Sequence, residues 1–429
     1  MRVPLYKSRP YAPSAARFDG GQRFNDFIVM SEACSNSYLI ETPEGAILVN
    51  TGMGFETPVL HKNFTELSSQ TDNIQYIITT QGHVDHVGGV KFIRDKNPDV
   101  RYIAQAGNDE HQSYDERLQA FRARRSAFRF MDKFVEDFAH YAQHGYTKHN
   151  AQDRPTADIT FEDRYEFSLG GLDVVLIAVQ GAETNDSLVV WLPQHEILLT
   201  GNLFGCPFGH FPNLVTIRGD RYRDALVCAQ AAQTVLDLNA EVILYGHHGP
   251  VVGKELIRTE VTAIRDAILY VHEEVVKGMN SGKSLYSLMQ AIQLPDDCEV
   301  GQGYGKVSWG VRAIWENYAG WFHHNSTTEL YSVPPSSVHA DLVELAGFEA
   351  IVERAQKKFS EGQSEQALHL LDIALEADPG HQPAINLAIS VHERLLEAPE
   401  AADNFWLEGW LKNQLKLLKG GNTKPLSFT

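Results

Sequence analysis

The sequence predicts an α/β domain in which sheets are covered by helices, followed by an all-α domain. Up to about residue 255, short apolar runs typical of strands alternate with helical segments. One predicted strand, residues 74–80, runs directly into a histidine-rich turn. After residue 255 the strand pattern ends, and apolar residues recur every three or four positions, as in amphipathic helices. We therefore expect two domains, residues 1–255 and residues 256–429.

The strands of the first domain are predicted from apolar runs that turn residues bound. Residues 38–42 and 46–50 flank Pro43-Glu44-Gly45, which predicts a β-hairpin. Further strands are predicted at residues 74–80, 100–104, 173–179, 187–193, 196–200 and 240–245. A helix is expected near residues 220–237.

Residues 109–150 interrupt the strand pattern with a charged, aromatic stretch of helical spacing. It includes Arg122, Arg124 and Arg125. The stretch is either an insertion that covers a site or a solvated helical excursion, and we favour the excursion.

The second domain is predicted to be helical throughout. Helices are expected at residues 256–280 and 285–292, and a Ser-, Thr- and Pro-rich connector at 327–340. Residues 346–361 and 365–377 predict a helical hairpin that turns at Gly362. Its spacing resembles a tetratricopeptide unit, but one unit is too few for a solenoid. We therefore expect a helical packing or dimerisation domain.

Composition and charge narrow the class of partner. The formal net charge is -18, and such a surface repels nucleic acids and anionic membranes. No apolar run of about 18 residues is present, and the N-terminus lacks the apolar core of a signal peptide. The four cysteines, Cys34, Cys206, Cys228 and Cys298, form no CxxC pair. We expect a soluble cytoplasmic protein with reduced thiols and a small-molecule substrate.

The turn after residues 74–80 carries a group of potential metal ligands. His83, Asp85 and His86 lie within four residues, at the end of a strand that can hold them rigidly. Imidazole and carboxylate groups suit zinc, manganese or iron. Neighbouring side chains on one turn can also point to two separate centres, so one short segment can ligate two metal ions.

This turn resembles the metallo-β-lactamase superfamily signature His-x-His-x-Asp-His, with Gln81 in place of the first histidine. The resemblance implies an αββα sandwich and a divalent transition metal, most simply Zn, with Mn or Fe as alternatives. One metal position would use Asp85, His86 and a histidine of the pair at 247 and 248, of which His247 is favoured. The other would use Gln81, His83 and Asp186. One or two ions are expected, because the carboxamide of Gln81 is a weak ligand.

Within that resemblance, one ligand has an alternative and one expected ligand is missing. Glu183 is an alternative to Asp186. No acid is present at Gly201 or Asn202, where the superfamily places a carboxylate that bridges two metals; Asn202 can still donate to water or substrate. Asp85, the usual acceptor of the water proton, is the predicted catalytic residue.

Blocks farther along the chain resemble alkyl sulfatases. They are residues 211–219 with 223–224, residues 264–272, 278–280 and 303–305, residues 311–314 and 320–322, and the hairpin after residue 346. The resemblance implies a sulfate ester substrate and a homodimer, and the sequence ends before that family's sterol-carrier-like domain. Arg218 would hold the sulfate, since a guanidinium binds an oxyanion bidentately; alternatively it pairs with Asp220 or Asp224. Asn213 and Tyr304 complete the predicted substrate-binding set.

Three functions follow from these patterns. The first is a metal-dependent hydrolase that uses metal-activated water on a sulfate ester or a related ester-like bond. The second is a lactone, cyclic amide or carboxylic ester hydrolase of the same fold. The third is a catalytically weak binding or scaffold protein, because the predicted ligand set has lost members. Tyr304, His210 and His324 are possible proton donors to a leaving group.

Overall fold

The computed structural model describes residues 4–8, 15–205 and 208–421. The chain packs into two compact units. The first unit comprises residues 1–125 and 132–317, and the second comprises residues 126–131 and 318–429. Cys228 is a buried free thiol, whereas Cys206 lies outside the described residues.

Two sheets form the centre of the first unit. In the first sheet the strands lie in sequence order, antiparallel from β1 to β4 and parallel from β4 to β7. In the second sheet the order is β13-β12-β11-β10-β9-β8, with β11 and β12 parallel. The strands are β1 Gly21–Arg23, β2 Ile28–Ser31, β3 Ser37–Thr42, β4 Gly45–Val49, β5 Ile74–Ile78, β6 Arg101–Gln105, β7 Ile159–Phe161, β8 Arg164–Leu169, β9 Leu172–Ala178, β10 Leu188–Leu192, β11 Ile197–Gly201, β12 Val242–Tyr245 and β13 Val251–Val252.

Helices connect and cover these strands. In the part of the chain that the structure describes, they are α1 Thr57–Leu67, α2 Val84–Val87, α3 Val90–Lys96, α4 Asn108–Arg117, α5 Gln119–Gln143, α6 Ala225–Leu238, α7 Lys254–Asn280, α8 Leu285–Ala291, α9 Val307–Ala319, α10 His339–Ala346, α11 Phe348–Ser360, α12 Ser364–Ala377, α13 Gln382–Glu397, α14 Pro399–Ala402 and α15 Phe405–Lys419. Single 3-10 turns lie at Leu5–Lys7, Pro193–His195, Asp296–Cys298, Thr327–Leu330 and Pro335–Val338. Within the described ranges, every helix is too short or too polar to cross a bilayer.

Three apolar clusters hold the first unit together. One lies between the sheets and joins residues such as Ile47 and Ile78 to Val190 and Leu244. A second packs α1 and α3 on the other face of the first sheet, and a third packs α6 and α7 on the other face of the second sheet. Each sheet therefore buries both faces, one against its partner and one against helices. These are the layers of the predicted αββα sandwich.

The predicted domain boundary and the compact units divide the chain at different places. Helix α7 begins at Lys254, just where the second domain is predicted to start, yet it packs with the second sheet. Val261, Ile264 and Ile268 are buried in the same cluster as Ile243 of β12. The first unit accordingly runs to Asn317, and the division at residues 255 and 256 stays a prediction.

The second unit is helical, as its sequence predicts. Helices α11 and α12 form the expected hairpin, and α13 follows. Their buried seam consists largely of small and branched side chains, including Ala355, Ala367, Leu371 and Val391. Short side chains allow helices to approach closely, so this core is built by interdigitation rather than by large aromatics.

A buried carboxyl, Glu56, ties three loops of the first unit together. Its Oε1 accepts hydrogen bonds from the backbone N–H groups of Ala16 and Cys34, at 2.9 and 3.0 Å, and its Oε2 accepts one from Met53 at 3.0 Å. Burial raises the pKa of Glu56 to about 7, although these backbone donors oppose the rise.

This pKa predicts a pH dependence of stability. Because the folded value lies above the ordinary value of 4.5, the stabilising contribution is complete below that pH and is lost as pH rises to about 7. We expect the free energy of unfolding to fall between pH 5 and pH 8, and Glu56→Gln to remove part of that fall. Urea unfolding at several pH values measures it, with Glu66→Gln, an exposed change on α1, as control. Equal slopes for both variants would contradict the prediction.

Candidate metal centre

The histidine-rich turn lies at the carboxyl end of β5. The strand ends at Ile78, and His83 caps the short helix α2, which carries Asp85 and His86. Gly89 follows, and a Cβ there would lie 2.2 Å from Oγ1 of Thr57. Glycine is therefore required for the turn to pack this closely against the start of α1.

Asp85 lies near His86 and His247, the partners that the resemblance assigns to it. The Nε2 of His86 lies 3.7 Å from Oδ2 of Asp85, and its Nδ1 lies 3.3 Å from Oγ of Ser35. Burial lowers the pKa of His247 to about 4 and also lowers that of His86. Burial would raise the pKa of Asp85, but the three histidines around it lower it. Neutral imidazoles and an ionised carboxylate are the forms that bind a metal.

Gln81, His83 and Asp186 are also neighbours, but their contacts differ from a simple ligand set. The side-chain nitrogen of Gln81 lies 2.6 Å from Nδ1 of His83. Asp186 is buried and accepts hydrogen bonds from Asn108 and from Thr184, each at 2.7 Å. Burial lowers the pKa of His83 to about 3.

Helix α4 adds two residues that sequence reasoning missed. One potential ligand atom from each of His83, His111 and Asp115 lies within 4.8 Å of the other two. The rings of His83 and His111 are 4.9 Å apart, at 67°. The available signal was the spacing of His111 and Asp115, since residues four apart share one face of a helix.

The start of α5 covers this region, so the predicted solvated excursion is wrong there. Arg122 contacts Asp115 and lies 3.2 Å from Oδ2 of Asp220, which in turn is 3.8 Å from Nε2 of His83. Arg125 donates two hydrogen bonds of 2.6 Å, to the backbone oxygens of Ile217 and Arg218. These contacts hold the loop after β11 beside the histidine-rich turn.

Glu183, the alternative to Asp186, is already engaged. Its Oε1 lies 2.9 Å from Nη2 of Arg223, and both side chains are buried. Arg223 also donates to the backbone oxygens of Glu183 and Asn213, at 2.7 and 2.5 Å. The geometry therefore favours a structural role for this carboxylate.

The predicted substrate-binding residues line the same loops. Asn213 and Asn202 are buried, and the Nδ2 of one and the Oδ1 of the other have no hydrogen-bond partner among the described residues. The ring of Tyr304 lies 3.8 Å from where a Cβ of Gly205 would be. Of the possible proton donors, His210 is buried in the first unit and His324 belongs to the second.

Arg218 carries no ion pair in the described part of the chain. Asp220 contacts Arg122 instead, and Asp224 caps α6 by accepting from Leu226 and Val227. The Nε of Arg218 is buried without a hydrogen-bond partner among described residues, and the cation is near enough to lower the pKa of His83. Buried donors are nearly always paired, so this guanidinium is available to an anion.

The backbone conformation and close packing at Gly201 explain why this position carries no acidic residue. Gly201 adopts φ +54°, and a Cβ would lie 2.4 Å from Oγ1 of Thr80. Any side chain would displace the strand that leads into the metal turn. The backbone packing at this position therefore excludes a carboxylate side chain.

The side chains fit a metal. The Nε2 atoms of His83, His86 and His111 are all buried, and none has a hydrogen-bond partner within the described ranges. Three such orphaned nitrogens in one region are unusual, because buried polar atoms are otherwise satisfied. The donor set of imidazoles and carboxylates suits a divalent transition metal.

Comparison with known families agrees with this geometry. Residues 34–247 match the metallo-beta-lactamase superfamily, and residues 287–414 match the family described as alkyl sulfatase dimerisation. The chain joins a metallo-beta-lactamase domain to an alkyl sulfatase dimerisation domain. Both parts of the predicted fold class are thus confirmed, and this fold implies binding of a divalent metal.

The curated relatives of this two-domain chain include alkyl sulfatases. A linear primary-alkylsulfatase of Pseudomonas sp. is 28% identical over 374 residues, which cover 83% of this chain and 69% of the relative. An alkyl/aryl-sulfatase of Saccharomyces cerevisiae is 26% identical, over 90% of this chain and 62% of the relative. The chain thus spans about two thirds of the length of these relatives.

A solved structure has a similar fold. The stereoselective inverting sec-alkylsulfatase Pisa1 from Pseudomonas sp. superposes with a TM-score of 0.79 at 21% identity. The match covers 95% of this chain and 66% of that chain. At this identity the similarity establishes the fold of both domains.

Proposed function

We propose that this protein is a metal-dependent hydrolase of sulfate esters. The superfamily domain and the alkyl sulfatase relatives support the reaction class. The observation that carries the substrate class is Arg218, a half-buried side chain whose buried Nε has no hydrogen-bond partner among the described residues and whose charge lies near His83. A sulfate monoester presents the tetrahedral oxyanion that such a group binds.

The proposed roles follow from the side chains. Arg218 and Asn213 bind the sulfate oxygens, Asn202 and Tyr304 orient the ester, and Asp85 accepts the proton of the attacking water. The proposed metal ligands are Gln81, His83, Asp85, His86, Asp186 and His247. A bound divalent cation would supply a water of lowered pKa and would stabilise developing negative charge. We propose zinc, in one or two ions, with manganese and iron as alternatives.

The direct test measures product. Purified full-length chain, reconstituted with zinc, manganese or iron, is incubated with primary and secondary alkyl sulfates, and free sulfate is quantified. Lactones, cyclic amides and carboxylic esters form a parallel panel. Sulfate release that a chelator abolishes is the expected result; turnover of the parallel panel alone would contradict the sulfate assignment.

Replacing Arg218 tests its role separately. Arg218→Ala is expected to raise KM for an alkyl sulfate about 10- to 100-fold, because a charge-assisted bond is worth about 1.5–3 kcal/mol. Arg164→Ala removes an exposed arginine that pairs with Glu166 on β8 and serves as control. An unchanged KM for Arg218→Ala would remove this residue from sulfate binding.

We also propose an oligomeric state and a cellular location for this protein. The match to the dimerisation family supports a homodimer. We also propose the cytoplasm, because the four cysteines of the sequence form no CxxC pair and the buried Cys228 is a free thiol. Light scattering of the purified chain measures the oligomeric state.

A further inference from the structure

We propose that His111 is a metal ligand, and that it forms with His83 and Asp115 a site for a divalent cation. The sequence assigned this position to Gln81. Of the proposed function, this inference uses only the expectation of a divalent cation, so it can hold even if the substrate is not a sulfate ester.

His111 offers Nε2 because its Nδ1 donates a hydrogen bond, and His83 offers Nε2 when the Gln81 amide is turned so that its oxygen, not its nitrogen, faces Nδ1. The Nδ1 of His111 lies 2.8 Å from Oδ1 of Asn185, a carbonyl oxygen that can only accept. Nδ1 therefore carries the proton, and Nε2 keeps its lone pair. That Nε2 is buried without a hydrogen-bond partner in the described structure, as is the Nε2 of His83.

The residues behind His111 resemble the surroundings of metal-bound histidines. Asp186 Oδ1 lies 4.0 Å from Nδ1 of His111, and Asn108 and Thr184 hold the Asp186 carboxylate in place. A carboxylate or carbonyl behind the non-ligating nitrogen is the usual second partner of a ligand histidine. In this arrangement Asp186 orients His111, and the Gln81 amide, with its oxygen turned toward Nδ1, orients His83 across the 2.6 Å contact. Both residues then position a ligand histidine instead of binding the metal as proposed above.

The charge balance suits a cation. Arg122 lies between Asp115 and Asp220, so the three groups together carry one net negative charge. Asp115 completes the 4.8 Å cluster, and Asp220 lies 3.8 Å from Nε2 of His83. Two imidazoles and one carboxylate form a ligand set typical of catalytic zinc.

The test counts bound metal and reads direct coordination. Full-length protein is reconstituted with Co²⁺, and the metal is quantified together with the visible absorption spectrum. His111→Ala is expected to lose one equivalent of Co²⁺, and His247→Ala is expected to lose the ion held with Asp85 and His86. His369→Ala removes an exposed histidine of α12 and is expected to change neither measurement.

A second variant covers the possibility that His111→Ala misfolds. In His111→Cys, under reducing conditions, a sulfur-to-cobalt charge-transfer band is expected, since only direct ligation produces it. An unchanged Co²⁺ count and spectrum in His111→Ala, or absence of the band in folded, reduced His111→Cys, would overturn the proposal. Sulfate release by the unmodified protein is measured in parallel. If His111→Ala loses metal but the unmodified protein releases no sulfate, only the proposed substrate is overturned.

Discussion

Asp85→Asn is expected to lower kcat for an alkyl sulfate by about 10²–10⁴-fold, the usual contribution of a general base. The carboxylate is ionised at neutral pH because the surrounding histidines lower its pKa. An amide of the same shape can neither accept the water proton nor neutralise a cation. Steady-state kinetics with a matched metal count separates the catalytic loss from loss of metal.

The control for this experiment is Asp95→Asn. Asp95 lies on α3, exposed and paired with Lys91 at 2.8 Å, so its loss is expected to leave kcat unchanged. If Asp85→Asn retained more than about a tenth of the activity at full metal occupancy, Asp85 would not be the base, since even a modest base contributes about 10²-fold.

Arg223→Ala is expected to lower the free energy of unfolding by about 3–5 kcal/mol. The arginine pairs with the buried Glu183 and also satisfies the backbone oxygens of Glu183 and Asn213. Removing it leaves a buried carboxylate whose pKa burial already raises. Urea unfolding measures the loss.

Two comparisons make this result specific. Arg221→Ala removes a neighbouring but exposed arginine, which pairs with Glu110, and is expected to cost less than about 1 kcal/mol. The double variant Glu183→Gln, Arg223→Met is expected to recover part of the loss because no charge remains unpaired. Equal destabilisation by Arg223→Ala and Arg221→Ala would contradict a structural role for the pair.

The sequence predicted those parts of the centre that lie close together along the chain. His83, Asp85 and His86 share one turn, so their proximity follows from their spacing. His247 could be predicted from the sequence because it follows a clearly patterned strand, β12. Such features depend on local chemistry, which a single sequence displays.

His111 and Asp115 were missed because their meaning depends on burial. Helix α4 is strongly polar, and its surroundings are fixed only when α5 folds back over the loop after β11. A polar helix that faces a buried site has the same sequence signature as one that faces water. Tertiary contacts decide between them, and no periodicity records those contacts.

Competing acids in one turn were equally hard to distinguish. Glu183 and Asp186 lie three positions apart in the turn after β9, and both are buried. What separates them is Arg223, forty residues away, which engages Glu183. Strands β7 and β8 also escaped prediction, since they lie at sheet edges and β8 alternates exposed and half-buried residues.

The close contact between Gly201 and Thr80 also limits which mutational routes could introduce the bridging carboxylate of the wider superfamily. An acid at Gly201 would need a left-handed backbone and a smaller residue at Thr80 at once, so the first step of that route is deleterious by itself. Asn202 offers a different path, because aspartate has the same shape and differs by a single codon base. For evolution and for protein engineering alike, Gly201 therefore cannot readily become an acid, whereas Asn202 is one substitution away from a carboxylate.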